Sequence, residues 1–183
     1  ITDTLKNVEK YFNDPSLVSN SSFFLPYLSG ERTPHNDPHI RGSFHAMKTT
    51  TDATNMQYAV IEGVSFGILD GVNSILKVND NFDKIFMVGG GSRSSFWIEL
   101  LASLLNRNLS VCDQSEYGAA LGVARLAMHS DKSIHNNNII KEITTSKDFF
   151  PSSNKSDMLM KRYQIWKDLY SANKKIASNL ISK

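Results

Sequence analysis

The chain has 183 residues, 40% apolar and 21% charged, which is typical of one globular domain with its own core. A net charge of +2, from 20 basic and 18 acidic residues, gives no general attraction to nucleic acid. The apolar stretches are shorter than a membrane span, and the single cysteine, Cys112, excludes an internal disulfide. We therefore expect a cytoplasmic protein with no nucleic-acid or membrane partner. Because the chain opens at Ile1 rather than at a methionine, we also expect it to be part of a longer protein.

The first half of the chain reads as a helix, a short strand, a long loop and a second helix. Apolar spacing predicts a helix over residues 2–12, and "SSFFLPYL" predicts a buried strand that ends near Pro26. Residues 29–43 form a predicted irregular loop, of the length that is often functional. Asp52 is placed to cap a long apolar helix. In that helix three glycines recur every four residues and are expected to admit a neighbouring element: Gly63, Gly67 and Gly71.

The second half predicts strand, glycine turn, helix, strand and helix in that order. The buried strand "KIFMV" precedes the helix "SSFWIELLASLLN", and the strand "LSVC" precedes the helix "SEYGAALGVARLAMH", with Ser115 as its N-cap. This order predicts an α/β architecture with a parallel strand pair. Residues 130–157 read as polar and irregular. A closing helix follows, with a core-facing stripe of Leu159, Tyr163, Trp166 and Leu169.

The turn "VGGGSRSSF" is the strongest candidate for a ligand site. A strand that ends in three glycines before a helix can bring bare backbone amides within hydrogen-bond reach of phosphate, and serine hydroxyls add donors. The alternative is a tight strand-to-helix turn with no ligand. The consecutive glycines favour a nucleotide phosphate, although neither the P-loop nor the dinucleotide fingerprint is present. The predicted nucleotide-binding residues are Gly89, Gly90, Gly91, Ser92 and Ser94.

The loop "SGERTPHNDP" is the second candidate, because polar loops at strand ends build ligand sites in α/β proteins. Glu31, Arg32 and Thr33 would line a cleft, or the loop would be a surface feature held by Glu31 or Asp37 paired with Arg32. The residues themselves do not separate these readings. No metal site made of protein ligands is expected, since His35 and His39 lack a ligand framework.

Glu62 lies within the apolar stripe of the long predicted helix, where an unpaired charge is costly. We expect it to pair with an arginine from a neighbouring loop, Arg32 or Arg41, rather than to be catalytic.

Four segments together resemble the C-terminal domain of the FGGY carbohydrate kinases. They are "FFLPYLSGERTPHNDPHIRGSF", "AVIEGVSFGILDGV", "GGGSRSSFW" and "GAALGVARLA", spread from Phe23 to Leu126, and the segment Tyr163–Tyr170 is similar to the family's closing helix. Within the family they are most similar to members that phosphorylate xylulose. The family's second signature matches from Gly42 to Glu62, except that Ala46 replaces its usual glycine, which puts the local turn in doubt.

The resemblance implies an actin-like, ribonuclease H-type α/β fold, with a mixed sheet and helices on both faces, for residues 1–183 as one nucleotide-binding domain. It further implies an ATP- and Mg²⁺-dependent transfer of the γ-phosphoryl group to D-xylulose, giving D-xylulose 5-phosphate. Gly90 and Gly91 would face the phosphates and Ser94 the adenosine end. The catalytic aspartate and the sugar-binding domain would lie upstream of Ile1, so no residue here is expected to be catalytic and the chain alone is expected to be inactive.

Other readings remain open at this point. The sugar could be gluconate, ribulose or glycerol, or the chain could be a non-catalytic actin-like ATP-binding module. A dinucleotide site is less favoured, because the acidic residue expected about 20 positions after the glycines is missing. The expected partners are ATP, ADP and the sugar, and a homodimer is left open.

Overall fold

The protein's structure, a computed structural model, describes residues 2–78, 84–113, 117–130 and 143–181. Within these ranges it contains six α-helices and five short strands. The helices are α1 Thr2–Phe12, α2 Pro15–Ser19, α3 Ala53–Leu76, α4 Ser95–Leu105, α5 Gly118–Ser130 and α6 Ser153–Ile181. The strands are β1 Phe23–Leu25, β2 Ser43–His45, β3 Ile85–Met87, β4 Leu109–Cys112 and β5 Thr145–Phe149.

The described strands form two small sheets. β1 and β2 pair antiparallel, with Phe24 opposite Phe44. In the second sheet β4 lies between β3 and β5, parallel to β3 and antiparallel to β5. The predicted parallel pair and the mixed character of the sheet are therefore confirmed.

Helix α4 lies between two hydrophobic cores, because it buries side chains on opposite faces. One face packs into the larger core with residues of α1, β1, α3 and α6, through Phe96, Leu100 and Leu104. The other face covers the β3–β4–β5 sheet, through Ile98, Leu101 and Ala102 packed against Leu109 and Phe149. The start of α4 is therefore fixed from both sides.

One short helix was not predicted, and one prediction for a polar segment was wrong. The Asp14 carboxylate accepts the amides of Ser16 and Leu17 and so caps the short helix α2. Within residues 130–157, which were expected to be irregular, the described part contains strand β5 and the start of α6. Four of the five β5 side chains are exposed, so the strand has almost no apolar pattern. The predicted N-cap Ser115 and residues 131–142 of the polar segment lie outside the described residues.

Strand β3 was predicted to be buried, but its three residues are only half-buried. The closing helix does bury its predicted stripe, since Leu159, Tyr163 and Trp166 are 0%, 4% and 1% exposed and Leu169 is partly buried.

Helix α3 is the central helix of the larger core. Among the described residues it is the one helix long and apolar enough to cross a membrane by length and composition, a test that the core helix of a globular protein also passes. Here it packs against β1, α1, α4 and α6. At Gly63 an added Cβ would lie 2.2 Å from the carbonyl oxygen of Phe24, so the predicted close approach is confirmed there. At Gly71 an added Cβ would meet nothing within 4 Å, and the prediction fails.

Glu62 is fully buried in α3 and pairs with Arg162 of α6, not with Arg32 or Arg41 as expected. Two hydrogen bonds join the pair, from Arg162 Nε at 2.6 Å and from Nη2 at 2.7 Å. Tyr58 also donates to this carboxylate at 3.1 Å. Burial raises the pKa of Glu62, while the hydrogen bonds and charge of Arg162 favour its ionised form. The pair thus ties α6 to α3 and has a structural role.

Candidate functional site

The glycine turn lies at the carboxyl edge of the parallel strands. β3 ends at Met87 and is followed by Val88 and the turn, whereas β4 ends at Cys112 and leads towards α5. The start of α5 is beside the turn, because an added Cβ on Gly118 would lie 3.6 Å from Val88 Cβ. In open α/β sheets, ligands bind outside the carboxyl ends of parallel strands, where such connections meet. Gly118 was not among the predicted site residues, although it opens the quoted "GAALGVARLA" segment.

The glycines do not lead directly into α4 as expected, because a short 3₁₀ turn, Gly90–Arg93, comes between β3 and that helix. Gly89 precedes the turn with φ of +84°, a conformation that favours glycine. The first hydrogen bond of the turn runs from the Ser92 amide to the Gly89 carbonyl at 3.1 Å. The amides of Gly90 and Gly91 precede that bond, and the turn does not use them. Two adjacent amides at a strand end are suited to an anion.

Each glycine of the turn has a different structural requirement. Gly89 needs its positive φ. An added Cβ on Gly91 would come within 2.9 Å of the Trp97 ring, so this glycine makes room for the indole. Gly90 is exposed, has no positive φ, and a Cβ there would meet nothing within 4 Å. The protein's own packing therefore does not require glycine at position 90, and the space above it is open.

The two predicted serines serve the turn itself. The Ser92 hydroxyl donates to the Gly89 carbonyl at 2.7 Å and is buried, so that donor is already used. Ser94 is the N-cap of α4, and its Oγ accepts the amide of Trp97 at 3.3 Å. The indole of Trp97 in turn donates to Ser65 of α3 at 2.9 Å. These bonds attach the turn to α4 and, through Trp97, to α3. Because Ser94 Oγ is the acceptor in the capping bond, its hydroxyl proton can still be donated to a ligand.

The loop over residues 29–42 is held by its own carboxylates. Glu31 accepts the amides of Thr33 at 2.9 Å and His35 at 3.1 Å. Asp37 Oδ1 accepts the amides of His39 at 2.9 Å and Ile40 at 3.1 Å. The loop is therefore braced by carboxylate–amide bonds, and the alternative of a Glu31 or Asp37 pair with Arg32 is wrong.

Helix α6 anchors this loop through Tyr170 and Lys174, which contact Asp37. The Tyr170 hydroxyl donates to Asp37 Oδ2 at 3.0 Å, and Lys174 Nζ lies 3.6 Å from the same oxygen. The His39 amide, with Tyr170, the Ile40 amide and Lys174, lowers the pKa of Asp37. The ring of His35 stacks on Tyr170 with centroids 3.6 Å apart, and its Nε2 lies 3.9 Å from Asp70 of α3. The predicted cleft residues Glu31, Arg32 and Thr33 thus belong to a rigid loop.

A metal site is not formed by the described residues, since no three of their histidine, cysteine, aspartate and glutamate side chains cluster. His35 is used in the Tyr170 stack instead.

Comparison with known proteins gives a family match and a consistent set of relatives. The model of the FGGY family of carbohydrate kinases, C-terminal domain, matches residues 4–130. The xylulose kinase of Staphylococcus epidermidis is 29% identical over 167 residues, 90% of this chain and 33% of that protein. The xylulose kinase of Escherichia coli K12 is 38% identical over 105 residues, 57% of this chain and 22% of that protein. The chain thus spans about a third or less of these relatives.

Solved structures agree in fold. A xyloylose kinase from Brucella ovis superposes with a TM-score of 0.72 at 31% identity, covering 93% of this chain and 38% of that one. A gluconate kinase from Lactobacillus acidophilus gives 0.73 at 26% identity, covering 93% and 34%. A Plasmodium falciparum glycerol kinase with ADP gives 0.62 at 19% identity, covering 94% and 36%, and supports the fold alone. The expected actin-like α/β fold is confirmed by these neighbours.

Proposed function

The chain belongs to the FGGY family of carbohydrate kinases, and we propose that it is the nucleotide-binding part of a sugar kinase whose substrate is D-xylulose. The matched relatives named xylulose kinase support this sugar. Because a gluconate kinase has a similar fold, gluconate is the alternative substrate to xylulose in this proposal. The complete protein would transfer the γ-phosphoryl group of ATP to a primary hydroxyl of xylulose, giving the 5-phosphate and ADP, and would act in the cytoplasm.

In this proposal the turn Gly89–Ser94 binds the nucleotide. The observation that carries it is the open, exposed position of Gly90 at the carboxyl edge of the parallel strands, beside two amides that the turn does not use. The Gly90 and Gly91 amides would bind phosphate oxygens, and Ser94 would face the adenosine end. Ser92 would act by holding the turn, since its hydroxyl donates to the Gly89 carbonyl.

Magnesium would be bound mainly through phosphate oxygens of ATP in this proposal. The described residues offer no cluster of three carboxylate, histidine or cysteine ligands, which suits an ion that keeps most of its waters and enters with the nucleotide. The ion would neutralise charge on the transferred phosphoryl group. The contribution of this chain would be to position the nucleotide, with the sugar and the general base supplied by the upstream part of the protein.

The first experiment is a coupled assay of ADP formation by the full-length protein with xylulose, gluconate, ribulose and glycerol. We expect the highest kcat/KM with xylulose. A clear preference for another sugar would contradict the proposed substrate, and ADP formation with none of them would contradict the proposed kinase.

The Gly90→Val variant tests the nucleotide site in the same assay. An added Cβ at this position meets nothing within 4 Å, and the branched side chain would extend into the space proposed for phosphate, so KM for ATP should rise about tenfold or more while KM for the sugar stays unchanged. Gly71→Ala is the matched control, because an added Cβ there also meets nothing within 4 Å. An unchanged KM for ATP in a folded Gly90→Val protein would exclude this turn as the nucleotide site.

A further inference from the structure

The braced loop leaves one permanently charged side chain outside its own hydrogen-bond network. Residues 29–42 contain four side chains that are charged at neutral pH. Two of them, Glu31 and Asp37, accept hydrogen bonds from backbone amides. Arg41 Nη1 donates to the carbonyls of Pro38 at 2.9 Å and Ile40 at 2.8 Å. The Arg32 side chain is exposed, and the bracing bonds named above do not use it.

Backbone hydrogen bonds hold the loop on both sides of Arg32. The Glu31 amide and carbonyl both bond to Asp37, at 2.8 and 2.7 Å, which closes the base of the loop. The Arg32 carbonyl accepts the amide of Asn36 at 3.1 Å, which closes its tip. Because the backbone on both sides of Arg32 is fixed, little conformational freedom beyond that of its own side chain would be lost when the guanidinium binds a ligand.

The exposed tip consists of hydrogen-bonding groups around this arginine. Arg32, Thr33 and Asn36 are all exposed, and they offer a guanidinium, a hydroxyl and an amide. A guanidinium has parallel donors that match phosphate oxygens in pairs, and its neighbours are suited to the hydroxyls of a sugar or ribose. The chemistry therefore fits a phosphorylated polyol better than an uncharged sugar.

We propose that Arg32, presented by the braced loop, binds a phosphoryl group of a ligand that carries sugar hydroxyls. This rests on the proposed kinase function, and the phosphoryl group could belong to the nucleotide or to the sugar phosphate product. Arg32 would be a binding residue, while Glu31, Asp37 and Tyr170 would position it through the loop.

The test uses the full-length protein with the Arg32→Gln and Arg32→Lys variants. KM for ATP and the inhibition constant of xylulose 5-phosphate are measured in the coupled assay, together with the midpoint of thermal unfolding. Arg32→Gln should weaken one of these two constants about tenfold, and Arg32→Lys should recover part of the loss. The unfolding midpoint should not move, because Arg32 does not brace the loop. Lys161→Gln, which removes an exposed charge from α6, is the control.

The outcomes separate the two phosphate sources. A change confined to ATP assigns Arg32 to the nucleotide, and a change confined to xylulose 5-phosphate assigns it to the product. Wild-type constants for both ligands in Arg32→Gln, or an equal effect of Lys161→Gln, would overturn the inference.

If the wild-type protein phosphorylates no sugar, the proposed function fails and Arg32 is judged by calorimetric titration with ADP and xylulose 5-phosphate. In that case unchanged affinity of Arg32→Gln for both compounds overturns the inference, and weaker binding of either one supports it.

Discussion

Ala46 is the residue at which this chain departs from its family's pattern, and the structure shows how the turn adapts. Its φ is +57°, in the left-handed region that the usual glycine adopts without strain. The turn is therefore kept although the residue has changed. A left-handed conformation costs an L-residue about 1–2 kcal/mol, and the Ala46 side chain is exposed, so packing gains little from its methyl group.

We therefore expect Ala46→Gly to stabilise the protein. Relief of backbone strain, less the entropy that glycine adds to the unfolded chain, should leave about 0.5–1 kcal/mol. Urea unfolding measures the change. Ala172→Gly in α6 is the control, since it also removes an exposed methyl but from a helical position, and it should destabilise by about 1 kcal/mol. If Ala46→Gly destabilised as much as the control, the turn would not be strained.

At the scale of a single element, α3 shows that a sequence period does not fix what each position contacts. Its glycines recur every four residues, yet the space around them differs. The carbonyl of Phe24 in β1 lies against Gly63, Pro26 makes ordinary contact at Gly67 with 3.7 Å to an added Cβ, and Gly71 faces open space. Of these three positions only Gly63 lies so close to β1 that a Cβ would clash, so only this glycine is needed for the approach.

Gly63→Ala and Gly71→Ala should accordingly change stability in opposite directions. A Cβ 2.2 Å from the Phe24 oxygen forces β1 or α3 to move, at a cost of about 1–3 kcal/mol or more. The Gly71 variant gains helix propensity at no steric cost, up to about 1 kcal/mol. Chemical unfolding of both variants measures the difference, and equal effects would show that β1 does not pack on α3 as described.

The sequence was informative where local chemistry decides the structure. The capping aspartate at 52, the apolar stripe of α6 and the strand–glycine–helix order were all predicted from neighbouring residues. It failed for β5, which pairs through its backbone and buries only Phe149 at its end. It also failed for the partner of Glu62, because Arg162 is 100 positions away and only the packing of α6 on α3 brings the two together.

The glycine turn after a parallel strand was predictable from the sequence, but the different structural roles of its residues were not. The three glycines look alike in the sequence. Only the structure distinguishes the positive φ at Gly89, the indole contact at Gly91 and the open space at Gly90. The use of Glu31 and Asp37 as loop braces likewise depends on which backbone amides they reach.

At the scale of the whole molecule, the described chain would supply one side of the proposed site. Helix α5, which begins beside the glycine turn, has no buried residue, and its Val123 and Leu126 are 68% and 64% exposed. An apolar helix this exposed is suited to contact with further protein. The xylulose kinase of Staphylococcus epidermidis is about three times as long as the segment matched here, which spans 33% of it.

We expect residues 1–183 alone to be catalytically silent, because phosphoryl transfer requires both reactants to be held in line and this chain would position only the nucleotide. In the coupled assay the isolated chain should form no ADP in response to xylulose, under conditions in which the full-length protein does. Circular dichroism and cooperative urea unfolding would first establish that the isolated chain is folded, so that silence reflects the missing reactant site. Sugar-dependent ADP formation by the isolated chain would show instead that the general base and the sugar site lie within these residues, and the division of labour proposed for the two parts of the protein would be wrong.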